Sequence, residues 1–270
     1  MTENDQRPVA FFDSGIGGLP YLEVAKRLMP AETYVYLADR QGFPYGSKSP
    51  DEITALALRA AAELIKSYAP KAIVVACNTA SAVALGELRR VFADTPIVGT
   101  VPAVKPAALS SRVKRIGVVA TARTADDPYL LDLVRRWASD CAVIRRGDQE
   151  LVGFVERRLL ASTREERLEA VRPSVEAMLN EGVDAIVLGC THFLHLAAEF
   201  AELAGPGVRI VDSRDGVAAQ IRRVLSGGPG LAQERHAGGD CMHMSGPGPF
   251  DAQLAAFAAR FGLEPRGSLY

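Results

Sequence analysis

Two six-residue segments constrain this chain more than any other feature. Ala72-Ile73-Val74-Val75-Ala76-Cys77 and Ala185-Ile186-Val187-Leu188-Gly189-Cys190 share four residues of six, the cysteine included, at an offset of 113 (185 − 72). Val9 to Ser14 is likewise matched by Ile116 to Thr121 at an offset of 107 (116 − 9). Hydrophobic strands resemble one another by chance, but a cysteine just past the strand end does not follow from hydrophobicity. Two matches at similar offsets imply two related halves.

Each half reads as short apolar runs alternating with helical patterns. Val9 to Phe12 stops at Asp13-Ser14-Gly15-Ile16-Gly17-Gly18, and Leu19, Leu22, Val24, Ala25 and Leu28 then follow a helical period. Tyr34 to Leu37 and Ala72 to Ala76 read as strands, and Ser49-Pro50-Asp51-Glu52 predicts a helix start with Ser49 as cap and Pro50 first. Strands this uniformly apolar suit a parallel sheet covered on both faces. The pattern predicts an α/β fold of two similar domains with mainly parallel sheets flanked by helices. The first domain is expected over 1–100 plus 212–270 and the second over 101–211. Ser226 to Gly230 is expected as a glycine-rich loop, Met242-His243-Met244 as a late strand, and Ala252 to Phe261 as a closing amphipathic helix.

Thirty-one Lys and Arg against 32 Asp and Glu leave a net charge of −1. That balance supplies no overall drive toward nucleic acid or an anionic membrane, so neither is expected as a partner. At 48% hydrophobic and 23% charged residues the chain is not a disordered one. Its four cysteines (77, 141, 190 and 241) lack paired zinc spacing, and no run approaches the ~20 apolar residues of a membrane span. A cytoplasmic protein with reduced cysteines and no metal is expected. His195 near His192, and His236 with Cys241 and His243, are too irregular to change that expectation. Cys141 and Cys241 read as structural. None of the six lysines sits in a motif for a pyridoxal phosphate Schiff base.

Ligands of open parallel sheets bind outside the carboxyl ends of the strands. Four polar clusters fall there: Asp13-Ser14, Asp39 with Pro44-Tyr45-Gly46, Cys77-Asn78-Thr79 and Cys190-Thr191-His192. One cysteine after a strand is commonly inert filler. Two at equivalent places, each followed by hydroxyl or amide groups, point to chemistry. If the halves face each other, the sulfurs approach one cleft from opposite sides. That arrangement suits inversion of a carbon centre, with a thiolate as base on one face and a thiol as acid on the other. Asp13 and His192 are proton-handling neighbours, and Ser14, Gly46, Asn78, Thr79 and Thr191 can hold carboxylates. Gly15 to Gly18 lacks the lysine of a phosphate loop and the full dinucleotide fingerprint, and reads as a close backbone approach.

Phe12-Asp13-Ser14-Gly15-Ile16-Gly17-Gly18, Pro44-Tyr45-Gly46, Ala76-Cys77-Asn78-Thr79-Ala80-Ser81 and Gly189-Cys190-Thr191-His192 resemble the signatures of the glutamate racemase family, in order and spacing. The resemblance implies domains related by a pseudo-twofold axis with the active site in the cleft between them. It also implies an isomerase that needs no cofactor, interconverts L- and D-glutamate for peptidoglycan synthesis, and forms a homodimer. Carried over, Cys77 and Cys190 are the acid/base pair, Cys77 acting on D-glutamate and Cys190 on L-glutamate. Asp13 and His192 are their partners. Asp13, Ser14, Tyr45, Gly46, Asn78, Thr79, Thr191 and His192 match substrate contacts. Glu156 is implied as a second acidic partner, although Gly153-Phe154 departs from the family's Leu-Val-Pro-Leu-Val-Glu pattern. Thr121 matches a substrate-side threonine, although Ala125-Asp126-Asp127 departs from the usual continuation. With only eight residues before Val9, activation by a peptidoglycan precursor is not expected. The alternatives are an aspartate or hydantoin racemase of the same superfamily, with His192 and Ser81 arguing against the aspartate enzyme, and a gyrase-inhibiting binding protein on this fold.

Overall fold

The computed structural model describes residues 5–235 and 238–270, so His236 lies outside the described residues. The apolar runs of the first half form β1 (Val9–Asp13), β2 (Tyr34–Ala38) and β3 (Ala72–Val75), buried along their whole length. Between and after them lie α1 (Leu19–Leu28), α2 (Pro50–Tyr68) and α3 (Asn78–Val91). The chain continues through β4 (Ile97–Gly99), α4 (Val104–Ser110), β5 (Arg115–Ala120), α5 (Ala122–Asp126) and α6 (Pro128–Trp137). Next come β6 (Ala142–Gly147), α7 (Gln149–Arg157), α8 (Arg164–Asn180), β7 (Ala185–Leu188), α9 (Ala197–Ala204) and β8 (Arg209–Val211). The last elements are α10 (Arg214–Ser226), β9 (Cys241–Met244), α11 (Ala252–Arg260) and β10 (Glu264–Ser268).

Two compact units result. One runs to Thr100 and resumes at Arg214; the other is Val101–Ser213. The return falls at Arg214, two residues later than the expected 212: Asp212 and Ser213 stay with β8, and α10, which begins at Arg214, packs on α1, β3 and β4 of the first unit. In the same way α4 follows β4, an edge strand of the first unit's sheet, yet packs on α6, β5 and β7 of the second.

The first unit holds a six-stranded parallel sheet in the order β10-β9-β2-β1-β3-β4, and the second a four-stranded parallel sheet in the order β6-β5-β7-β8. The run β2-β1-β3-β4 of the first is thus repeated in the second. The register is repeated too: Val9 pairs with Ala72, and their counterparts Ile116 and Ala185 pair with each other. The offsets of 107 and 113 seen in the sequence are one alignment of two sheets.

Local chemistry explains the principal helix starts. Ser49 Oγ accepts from Glu52 N at 3.3 Å while Glu52 Oε2 accepts from Ser49 N at 2.9 Å, a reciprocal cap on α2. Thr163 and Glu166 repeat it at α8, at 3.2 and 2.9 Å. The face of α2 on the sheet carries Ala57, Ala60 and Ala61, small residues that let the helix approach the strands beside Ile53 and Leu64. Lys71, fully buried, precedes β3 and so sits at the amino edge of the sheet, paired to Glu32 at 2.7 Å. It lies at the end away from the polar clusters. Met242 to Met244 forms a strand as expected, between β2 and β10, and α11 ends one residue short of Phe261.

Candidate active site

In the first unit, adjacency of β1 and β3 brings Asp13 and Cys77 to one carboxyl edge, since Phe12 pairs with Val75. Asp13 is fully buried, and its Oδ2 accepts from Gly18 N at 3.2 Å. Tyr36 helps hold the same turn, its hydroxyl donating to Gly15 O at 2.9 Å and accepting from Gly18 N at 3.1 Å. A Cβ on Gly18 would stand 2.6 Å from Ala76 Cβ, so the glycines do permit a close approach, here to the residue before Cys77. Asp13 is not the cap of α1; that position is Gly18, which carries no side-chain cap.

Cys77 is the extended residue before α3, and its carbonyl accepts the first helical bond from Ser81 N at 2.8 Å. The amino end of a helix favours negative charge beside it. Asn78 and Thr79 form the first turn and are buried, as is Ser14. Ser81 has a packing role: its hydroxyl donates to Val75 O at 3.1 Å and accepts from Thr100 N at 3.0 Å, tying α3 to the ends of β3 and β4.

The loop after β2 makes a 3-10 turn over Tyr45–Ser47. The Tyr45 ring is buried and its hydroxyl donates to Asp39 Oδ2 at 2.6 Å. Burial, reinforced by the Asp39 charge, pushes the phenol far above its ordinary value, so it serves as a donor. With the hydroxyl held inward, Tyr45 anchors the turn, in which Gly46 is half-buried and Ser47 exposed.

In the second unit, Cys190 follows β7 and precedes a 3-10 helix over Thr191–Leu196. Within this helix Thr191 and His192 are buried. His192 Nδ1 lies 3.9 Å from Cys190 Sγ, and its Nε2 lies 2.7 Å from Glu156 Oε1 on α7. Both Glu156 and His192 are almost fully buried. Burial works against the imidazolium, but the hydrogen bonds to Cys190 and Glu156, together with the Glu156 charge, outweigh it and raise the His192 pKa well above its ordinary value. The direction favours an imidazole that keeps its proton beside Cys190, oriented by the Glu156 carboxylate. Thr121 caps α5, its Oγ1 accepting from Thr124 N at 3.2 Å and donating to Thr124 Oγ1 at 2.9 Å.

The remaining cysteines sit elsewhere. Cys141 lies beside Asp140, and buried Cys241 lies 3.6 Å from the Tyr68 hydroxyl, which also bonds His243. Among the described residues no group of three or more His, Cys, Asp or Glu is placed to hold a metal ion, and no helix is long and apolar enough to cross a membrane. In the sequence Asp39 stands out only as part of a strand-end cluster, and Ser245 and Tyr270, whose hydroxyls both reach it, belong to no motif. Ser245 had one signal: it directly follows an apolar strand, as the other clusters do.

Two parallel-sheet units with matched strand order, each with a buried cysteine just past a central strand, define a two-thiol α/β protein. The model of the Asp/Glu/Hydantoin racemase family matches residues 21–221, and the chain belongs to that family, as an amino-acid racemase. A glutamate racemase from Roseiflexus sp. (strain RS-1) is 44% identical over 225 residues, 83% of this chain and 82% of its own. One from Treponema pallidum (strain Nichols) is 38% identical over 267 residues, 98% of this chain and 97% of its own. The crystal structure of Escherichia coli glutamate racemase, in complex with L-glutamate and the activator UDP-MurNAc-Ala, superposes with a TM-score of 0.86 at 33% identity. It covers 97% of this chain and 98% of that one.

Proposed function

We propose that this racemase acts on glutamate, without a cofactor, through Cys77 and Cys190, and supplies D-glutamate for peptidoglycan. The observation that carries the reading is the equivalence of the two cysteines: each follows the strand paired to the first strand of its sheet, and each opens a helix. One thiolate takes the α-proton, the electron pair stays on the α-carbon beside the carboxylate, and the other thiol delivers its proton to the opposite face. The thiol–thiolate pair ends exchanged, so the product side is ready for the reverse reaction. Asp13 beside the first thiol, and His192 with Glu156 beside the second, move protons to and from sulfur. Ser14, Tyr45, Gly46, Asn78, Thr79, Thr121, Thr191 and His192 form the substrate contacts, with Gly46 contributing backbone and Tyr45 fixing it. A cytoplasmic homodimer with no nucleic-acid partner completes the proposal.

Purified protein treated with chelator and given L-glutamate or L-aspartate separately, followed by circular dichroism, tests this. Loss of optical activity with glutamate is the expected result. Preferential inversion of aspartate, or of a hydantoin given in the same way, would assign another member of the family, and gyrase inhibition in a parallel supercoiling assay without racemisation would assign a binding role.

A further inference from the structure

Asp39 is the meeting point of three hydroxyls from three separate stretches of the first unit. Tyr45 donates to its Oδ2 at 2.6 Å, and Ser245, just after β9, donates to Oδ1 at 2.5 Å. Tyr270, beyond β10, donates to Oδ1 at 3.3 Å, and Gly42 N does so at the same distance. Asp39 is fully buried, and the groups that donate to its carboxylate are hydroxyls and a backbone amide. A buried carboxylate accepts only, so these donors decide where it points.

The two remote donors are themselves fixed. Ser245 Oγ also accepts from Gln41 N at 2.9 Å, and Ser245 N donates to Ala38 O at 3.0 Å. The Tyr270 ring lies 4.4 Å under the Arg59 guanidinium, and its carbonyl accepts from Gly246 N at 2.8 Å. Arg59 in turn donates to Gln41 Oε1 at 3.3 Å. Burial and the Asp39 charge raise the Tyr270 phenol pKa, so it remains a donor at neutral pH. The space is closed as well: a Cβ on Gly42 would come within 2.3 Å of Asp39 Oδ2 and 2.8 Å of the Tyr45 ring. Asp39 therefore cannot turn away without disturbing Tyr45, and Tyr45 begins the 3-10 turn that carries Gly46.

We propose that Ser245 and Tyr270 are positioning residues for racemisation: through Asp39 they fix Tyr45 and so set the Gly46 backbone that receives the substrate. The inference rests on the reading that Tyr45-Gly46 contacts glutamate. Ser245 and Tyr270 do not act on the reacting carbon, so their loss weakens substrate binding and leaves the proton transfers intact.

The test is steady-state kinetics in both directions, with melting temperatures, for Ser245→Ala, Tyr270→Phe, Tyr45→Phe, Gly46→Ala and the Ser245→Ala/Tyr45→Phe double variant. Tyr270→Phe keeps the ring on Arg59 and removes only the hydroxyl. KM is expected to rise about tenfold in Ser245→Ala and about threefold in Tyr270→Phe, with kcat within about twofold of wild type, the range for losing hydrogen bonds to a charged group of unequal length. The double variant is expected to match Tyr45→Phe alone, because both changes cut one chain. Unchanged KM in Ser245→Ala and Tyr270→Phe while Gly46→Ala raises it overturns the positioning role alone, as does a double variant whose effects multiply. Unchanged KM in Gly46→Ala overturns the substrate reading of the loop itself.

Discussion

The two thiols occupy the same place in the four-strand run that both sheets share, yet their neighbours differ. By the offset of 107, the counterpart of Asp13 is Ala120, and by the offset of 113 the counterpart of His192 is Thr79. The first unit thus has a carboxylate on the adjacent strand and a hydroxyl on the helix after the cysteine. The second has alanine on the strand, an imidazole after the cysteine, and a carboxylate, Glu156, brought in by α7. The helices differ to match. Cys77 opens a 14-residue α-helix, whereas Cys190 opens a six-residue 3-10 helix on which His192 reaches back to the sulfur. The two units share the backbone frame that presents a thiol, and a few residues past each strand end differ in what stands beside it.

The strongest test of that comparison removes each sulfur in turn. Cys77→Ser and Cys190→Ser are each expected to lose racemisation by about 10³-fold, because an alcohol is a much poorer base than a thiol at neutral pH. In deuterated solvent the two should part: Cys190→Ser still exchanging the α-proton of D-glutamate, and Cys77→Ser that of L-glutamate. Equal exchange of both enantiomers by either variant breaks the one-thiol-per-face assignment, as read by mass spectrometry and circular dichroism.

Asp13→Asn and His192→Asn come next, with kcat expected to fall about 10²-fold and KM to change little, as for groups that act in the transition state. A marked fall in melting temperature with near-normal kcat for Asp13→Asn would make it a brace for the Gly18 turn, which it also bonds.

Glu156→Gln probes the second unit alone. Removing its charge lowers the His192 pKa, a change readable from imidazole NMR signals. His192 is raised in the folded state, so its stabilisation is full below the ordinary value of 6.5 and disappears as pH rises through the folded value. The melting-temperature gap between wild type and Glu156→Gln should be widest below about pH 6.5 and narrow above it. A gap that widens with pH would reverse the assignment of charge at His192.

The smallest effect concerns what the halves share. Ser49→Ala and Thr163→Ala remove equivalent caps, and each is expected to cost about 1 kcal/mol of stability without altering kcat or KM. Thermal unfolding of the two variants measures whether the repeated capping boxes carry equal weight.

Much of this was legible in the chain itself. The central strands are apolar throughout because both faces are covered, and such runs announce themselves without any partner in view. Cys77 and Cys190 followed from them, as strand ends are where polar side chains begin. The α2 start was readable because a capping box is completed within four residues.

Tertiary structure decided the rest. The edge strands β4, β6 and β10 were not evident: β4 has three residues, β6 carries Arg145 and Arg146 with no residue fully buried, and β10 is Glu264-Pro265-Arg266-Gly267-Ser268. An edge strand is defined by the neighbour it pairs with, so a three-residue run such as β4 gives no period to read, and solvent on the open side of β6 and β10 removes the apolar pattern. The hydrogen bond that orients His192 beside Cys190 joins residues 36 apart, and the cluster on Asp39 joins residues 206 and 231 apart. No local period or spacing encodes such contacts. Short-range physics, acting over one turn or one strand, placed the thiols; only the packed fold determines which distant groups stand beside them.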